Sequence, residues 1–213
     1  MEPAVGASID ILQPSNLLVF MVFYSPIIVA ISILVFTFMI QSFKGFIYLG
    51  FMFAASILRE FLYYAAGGKE PKPESAICSA IDFSGHGNNT YSSFMLSFTL
   101  MYLCFPMYSN SSMNWLLFGG LVAYLTADVA VRMISKCSTS VSMIFANIIG
   151  GLILGLGVVA SMSAGGSAKY LMFNDVQSNK VVCTRPKKQQ FKCAVYKNGE
   201  LINAENLALS LTQ

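Results

Sequence analysis

The chain has 213 residues, of which 55% are hydrophobic and only 11% are charged, and its formal net charge is +3. Soluble globular domains carry about 25% charged residues, so this composition excludes an ordinary water-soluble domain and favours an integral membrane protein.

The first apolar segment runs from residue 17 to residue 40 without a charge. A helix that spans a bilayer needs about 20 apolar residues, so this segment predicts a first span. Pro26 lies within it, and we expect a kink there rather than a break. Residues 1–16 contain no Lys or Arg, which argues against a cleaved signal peptide. We expect those residues to form an irregular lead-in.

Four more apolar segments predict spans near residues 46–66, 91–108, 113–131 and 141–164. The predicted fold of residues 17–164 is therefore an all-α polytopic membrane helix bundle of about five spans, with loops 67–90 and 132–140 on one side. Counting Lys and Arg on the two sides gives nearly a tie, so the positive-inside rule leaves the orientation open.

The fifth predicted span contains Gly151-Leu-Ile-Leu-Gly155. This GxxxG pattern lets two helices approach closely. The partner helix can belong to the same bundle or to a second copy of the chain.

Residues 165–213 differ in kind from the apolar segments. They begin with the linker Gly165-Gly166-Ser167 and contain Asn198-Gly199, a strong signal for a hairpin turn. We predict a small β-meander followed by a short terminal helix. From Lys169 onward seven Lys or Arg face three acidic residues, which favours contact with anionic lipid head groups. A protein partner at this tail is a further expectation. Nucleic acid is not expected, since aromatic residues do not interleave the charges.

Five cysteines are present, and Cys183 and Cys193 flank the predicted hairpin. A disulfide between them requires an oxidising compartment. Neither a CxxC motif nor a Cys/His cluster occurs, which argues against a structural zinc site. We expect no metal and no cofactor.

Cations and a Gly-containing loop gather in the two loops predicted to share one side of the membrane. Cations neutralise an oxyanion, and backbone amides at a helix N-terminus point towards it. These loops therefore predict a site for a phosphate or a lipid head group. Its candidate residues are Lys69, Lys72, Ser84, Gly85, His86, Arg132 and Lys136.

The same residues, over roughly residues 55–160, resemble the type-2 phosphatidic acid phosphatases, membrane enzymes related to the vanadium haloperoxidases. Glu70-Pro71-Lys72-Pro73 is similar to the Glu-Pro-Arg-Pro of the dolichyl-diphosphatase branch. Ser84-Gly85-His86 looks like the family's Pro-Ser-Gly-His motif, with Phe83 in place of proline. Arg132 resembles the arginine that opens the third motif, Ser-Arg-five residues-His-three residues-Asp.

The third motif departs from the family pattern at its reactive positions. The resemblance places the nucleophilic histidine at Ser138 and the aspartate that orients it at Ser142. His86, the chain's one histidine, corresponds to the acid that protonates the leaving oxygen. His86, Ser138 and Ser142 are thus candidates for a vestigial catalytic pocket.

We therefore expect a multi-pass membrane protein without enzymatic activity, built on a degenerate lipid-phosphatase-like scaffold. Its expected role is structural, in assembly or in binding lipid head groups. It could anchor a protein layer to a membrane, as in a virion or another particle with an internal membrane. The alternative is an active phosphatase on a lipid phosphate or isoprenoid diphosphate that uses displaced catalytic residues.

Overall fold

A computed structural model describes residues 14–70, 78, 83–135, 137, 140–173, 195–197 and 200–202. The chain divides into two compact units, Met1–Gln177 and Ser178–Gln213. The described part of the first unit is all helical. Its helices are α1 (Pro14–Phe23), α2 (Ser25–Ile40), α3 (Lys44–Ala65), α4 (Tyr91–Ser109), α5 (Trp115–Ile134) and α6 (Val141–Ala164), followed by a 3-10 turn at Ala168–Tyr170.

Three of these helices, α3, α5 and α6, are long and apolar enough to cross a membrane. A fourth span is obtained when Leu17–Phe23 and Ser25–Ile40 are counted together. The prediction of a helical multi-pass membrane protein agrees with this fold, whereas the third predicted span, 91–108, does not meet these criteria. That segment forms α4, and the surroundings of α4 explain its lower hydropathy.

The helix α4 lies inside the bundle, where other helices cover it. It packs against α2, α3, α5 and α6, and 13 of its 19 residues are buried. Hydroxyl groups on α4 bond to its neighbours, since Thr99 Oγ1 lies 2.6 Å from the hydroxyl of Tyr48 on α3. Serine and threonine residues lower the hydropathy of α4, and their hydroxyl groups form hydrogen bonds with neighbouring helices. Such hydrogen bonds stabilise helix association in membranes.

The first apolar segment forms two helices instead of one kinked helix. The axes of α1 and α2 differ by 68° across a break at Tyr24. Pro26 stands in the first turn of α2. A proline has no N–H group and clashes with the carbonyl of the residue four positions earlier, here Val22. The expected kink is therefore a break.

The glycines of the GxxxG pattern bring α6 against α4. A Cβ atom at Gly151 would overlap Ser97 Oγ and the carbonyl oxygen of Phe94. A Cβ atom at Gly155 would lie 2.8 Å from the carbonyl oxygen of Phe98. The sequence left open whether the GxxxG motif packs against a helix of the same bundle or of a second copy. In the structure it packs against α4 of the same bundle.

The described part of the second unit consists of two short strands, β1 (Val195–Lys197) and β2 (Glu200–Ile202). They pair antiparallel, with Lys197 opposite Glu200. Among the residues that the structure describes, the tail therefore contains one hairpin, and the larger β-meander is not supported. Cys183, Cys193 and the predicted terminal helix lie outside the described residues.

Candidate functional site

Four helix termini meet at one end of the bundle, because α3 and α5 end where α4 and α6 begin. The loops at this end are joined by a disulfide between Cys78 and Cys137, which are 59 residues apart in the chain. Both cysteines are fully buried and pack with Val19 and Phe23 of α1. This cross-link fixes the two loops that the sequence predicted to share one side.

His86 is held by a carboxylate of α3 at this end. Its Nδ1 atom lies 2.6 Å from Glu60 Oε1, and Ser84 donates its hydroxyl hydrogen to Glu60 Oε2. The backbone N–H of Gly87 donates to Ser84 Oγ at 2.9 Å, which fixes the loop around the pair. The side chains of His86 and Glu60 remain 36% and 38% exposed. When Nδ1 carries the proton and donates it to the carboxylate in a hydrogen bond, Nε2 is unprotonated and can act as a base or nucleophile.

A second polar group surrounds Arg59, the neighbour of Glu60 on α3. Its guanidinium donates to Asn147 Oδ1 at 2.9 Å, to the Gly87 carbonyl at 2.7 Å and to Thr90 Oγ1 at 2.9 Å. Glu70 Oε1 lies 3.6 Å from Arg59 Nη2. Arg59 therefore joins α3, α6 and the loop that leads into α4.

A third polar group lies on α5. The Nε atom of Arg132 lies 3.1 Å from each carboxylate oxygen of Asp128, one helical turn earlier. Ser92 and Ser93 of α4 donate to the same carboxylate, and the guanidinium lies 4.4 Å from the ring centre of Phe23. Asp128 and Arg132 are both 0% exposed. Their four-residue spacing brings the two side chains onto one helix face, inside a network that connects α5 to α4.

The structure gives the predicted site residues separate partners. Ser84, Gly85 and His86 stand together beside Glu60, whereas Arg132 is buried with Asp128 and Ser92. Lys69 is exposed. Ser142 is exposed in the first turn of α6, where its hydroxyl lies 2.8 Å from that of Ser140. The remaining candidates, Lys72, Lys136 and Ser138, lie outside the described residues.

Several polar residues of these groups were not among the sequence candidates. Glu60 and Glu70 are the main ones, because they provide the carboxylates beside His86 and Arg59. Tyr63 adds a hydroxyl that donates to Glu70 Oε1 at 3.0 Å. Glu60 had a sequence signal, because an ionisable residue inside an apolar segment marks a site in a membrane protein by default, whereas Glu70 lies in the loop after that segment.

The described part of the first unit is thus a helical bundle with helices long and apolar enough to span a membrane and with a polar, disulfide-linked end. Comparison of the chain with protein-family models, with curated proteins and with solved structures found no match.

Proposed function

We propose that the chain is a structural, non-enzymatic protein of a membrane, in which the arginine of the resembled phosphatase site, Arg132, stabilises the bundle itself. The observation that carries this proposal is the burial of Arg132. An arginine that binds phosphate presents its N–H groups to the ligand, whereas Arg132 is 0% exposed and directs Nε to Asp128.

Arg59 supports the same role. It is 3% exposed and bonded to α6, to the loop before α4 and to Glu70. Breaking a buried charge pair by removing one partner is strongly destabilising. We therefore interpret the two buried arginines at the disulfide-linked end as residues that hold neighbouring helices together, on a scaffold similar to that of lipid phosphatases.

Contact with lipid head groups is the second part of the proposed role. From Lys169 onward the basic tail carries seven of the 13 Lys and Arg residues of the chain. Anionic lipids attract such groups with about 1 kcal/mol per Lys or Arg near the surface. The tail, with its hairpin, is the proposed contact for a protein layer next to the membrane.

The disulfide supports an orientation. Disulfides persist in oxidising compartments and are rare in the cytosol, so we place the end with Cys78 and Cys137 on the outer or lumenal side. Lys44, at the start of α3, and Lys169, after α6, then lie on the cytosolic side.

A phosphate-release assay tests the absence of catalysis. The full chain in detergent is offered phosphatidic acid and a prenyl diphosphate, next to His86→Ala as the matched control. The proposal predicts equal release from both proteins. Release by the wild-type chain that His86→Ala abolishes would overturn it.

One observation favours a second candidate function, hydrolysis of an isoprenoid diphosphate. Glu60 holds Nδ1 of a half-exposed His86, as required for attack by Nε2 on phosphorus. Attack on the terminal phosphorus forms an N–P bond and releases prenyl monophosphate, after which water cleaves the N–P bond. A phosphate leaves without prior protonation more readily than an alkoxide, so this candidate predicts activity on the diphosphate and little on phosphatidic acid. Glu60→Gln would lower kcat for the diphosphate.

A further inference from the structure

A groove open to the membrane runs between α3 and α6, with α4 as its floor. Its first part, nearer the disulfide-linked end, has a volume of about 440 Å³ and is lined by Leu58 and Leu62 of α3, Ile153 and Leu154 of α6, and Phe94 of α4. Leu62 and Ile153 are 57% and 65% exposed, so this part of the groove opens sideways, towards the hydrocarbon of a bilayer.

The groove continues towards the other end of the bundle. Its second part has a volume of about 670 Å³ and extends from Leu154 past Gly157 and Phe51 to Tyr170. Leu154 lines both parts. The two parts adjoin at Leu154 and follow α6, so together they run along the helix axis, as an acyl chain beside a spanning helix does.

Two glycines of α6 leave the groove open. A Cβ atom at Gly150 would meet only the Phe94 ring, at 3.8 Å, and one at Gly157 would meet nothing within 4 Å. They differ from Gly151 and Gly155, which α4 covers. The missing side chains at 150 and 157 therefore create space against which no described helix packs.

A polar group in the first part of the groove lacks a hydrogen-bond acceptor. Arg59 lines this part and is 3% exposed, yet its Nη1 atom has no hydrogen-bond partner among the described residues. Leaving a buried charged donor unsatisfied is costly. An oxygen atom from outside the chain at this place would remove that cost.

We propose that the groove binds a glycerophospholipid, with one acyl chain along α3 and α6 and an ester oxygen that accepts from Arg59 Nη1. Arg59 stands six residues before the end of α3, about 9 Å along the helix axis. That depth lies below the head groups, where glycerol esters join the hydrocarbon. The site is distinct from the His86 cluster, and the proposal does not depend on whether His86 is catalytic.

Filling the groove tests the proposal. Gly150→Leu places a side chain in the first part of the groove, and leucine also has a higher helix propensity than glycine. The matched control is Gly119→Leu on α5, outside the groove, where a Cβ atom meets nothing within 4 Å. Each full-length protein is reconstituted in vesicles that contain a phosphatidylcholine with a photoreactive diazirine in one acyl chain. Labelled peptides are then mapped, and copies and retained lipids are counted by native mass spectrometry.

The proposal predicts labelling concentrated on residues 58–63 and 146–154 of the wild-type chain and of Gly119→Leu. Gly150→Leu should reduce that labelling by about tenfold, equivalent to about 1.4 kcal/mol of binding free energy, and should lose the retained lipid while its melting temperature is unchanged or higher. Equal labelling of the two leucine variants would overturn the proposal. So would a dimer that Gly150→Leu dissociates, since a second copy would then fill the groove.

Discussion

The carboxylate of Asp128 and the guanidinium of Arg132 face each other one turn apart on α5, at 3.1 Å and without exposure to solvent. Ser92 of α4 bonds to both side chains. Arg132 is the residue that the sequence resemblance assigns to phosphate binding, and its Nε and Nη2 groups donate to Asp128 and Ser92 within the bundle. The account of this protein as a structural scaffold depends mainly on this pair.

Replacing Glu70 by Gln is expected to destabilise the disulfide-linked end. The Glu70 carboxylate accepts from Tyr63 and Thr90 and lies 3.6 Å from Arg59. The amide keeps the shape but loses the charge and part of the accepting capacity, which should lower the free energy of unfolding by about 2 kcal/mol. Unfolding of the detergent-solubilised protein by denaturant measures the change.

Lys69→Gln is the control for Glu70→Gln, because Lys69 is adjacent in sequence and exposed. It should change the unfolding free energy by less than about 0.5 kcal/mol. Equal effects of the two variants would show that Glu70 has no special structural role.

Gly155→Ala is expected to separate α4 from α6. The added Cβ atom would lie 2.8 Å from the carbonyl oxygen of Phe98 and 2.9 Å from Met101 Cβ. Overpacking of this kind costs about 1–3 kcal/mol. Gly157→Ala, two residues away in open space, should be neutral or slightly stabilising, because alanine favours a helix. The melting temperatures of the two variants measure this difference. A Gly155→Ala variant as stable as the wild-type chain would contradict the observed packing.

The disulfide predicts a specific thiol count. In a Cys183→Ser/Cys193→Ser chain three cysteines remain, of which Cys104 is free and buried. After denaturation, a maleimide reagent should label one thiol before reduction and three after it. Three labelled thiols without reductant, in protein isolated with its thiols blocked, would exclude the bridge and the orientation derived from it.

Helix positions could be predicted from the sequence where an apolar segment has clear ends. The segment 141–164 coincides with α6, and 91–108 ends one residue short of α4. Apolar periodicity does not tell whether lipid or protein covers a helix, so the burial of α4 could not be predicted. Its hydroxyl residues, Ser92, Ser93, Ser97 and Thr99, were the available signal.

The polar contacts were predictable only where the partners are close in sequence. Asp128 and Arg132 are four residues apart, and helical geometry brings them together. His86 and Glu60 are 26 residues apart, and Cys78 and Cys137 are 59 apart. Such pairs depend on how the helices pack, which a single sequence does not reveal. Pro26 was recognised, but the size of the bend depends on the packing of α1 against α5.

A double-mutant cycle on Asp128 and Arg132 tests the structural role of the buried arginine most directly. Asp128→Leu and Arg132→Met each leave one buried charge without its partner and should each lower the unfolding free energy by about 3–5 kcal/mol. The double variant should cost far less than the sum, because no uncompensated charge remains. Additive losses, or single variants as stable as the wild-type chain, would contradict the account that Arg132 serves the fold.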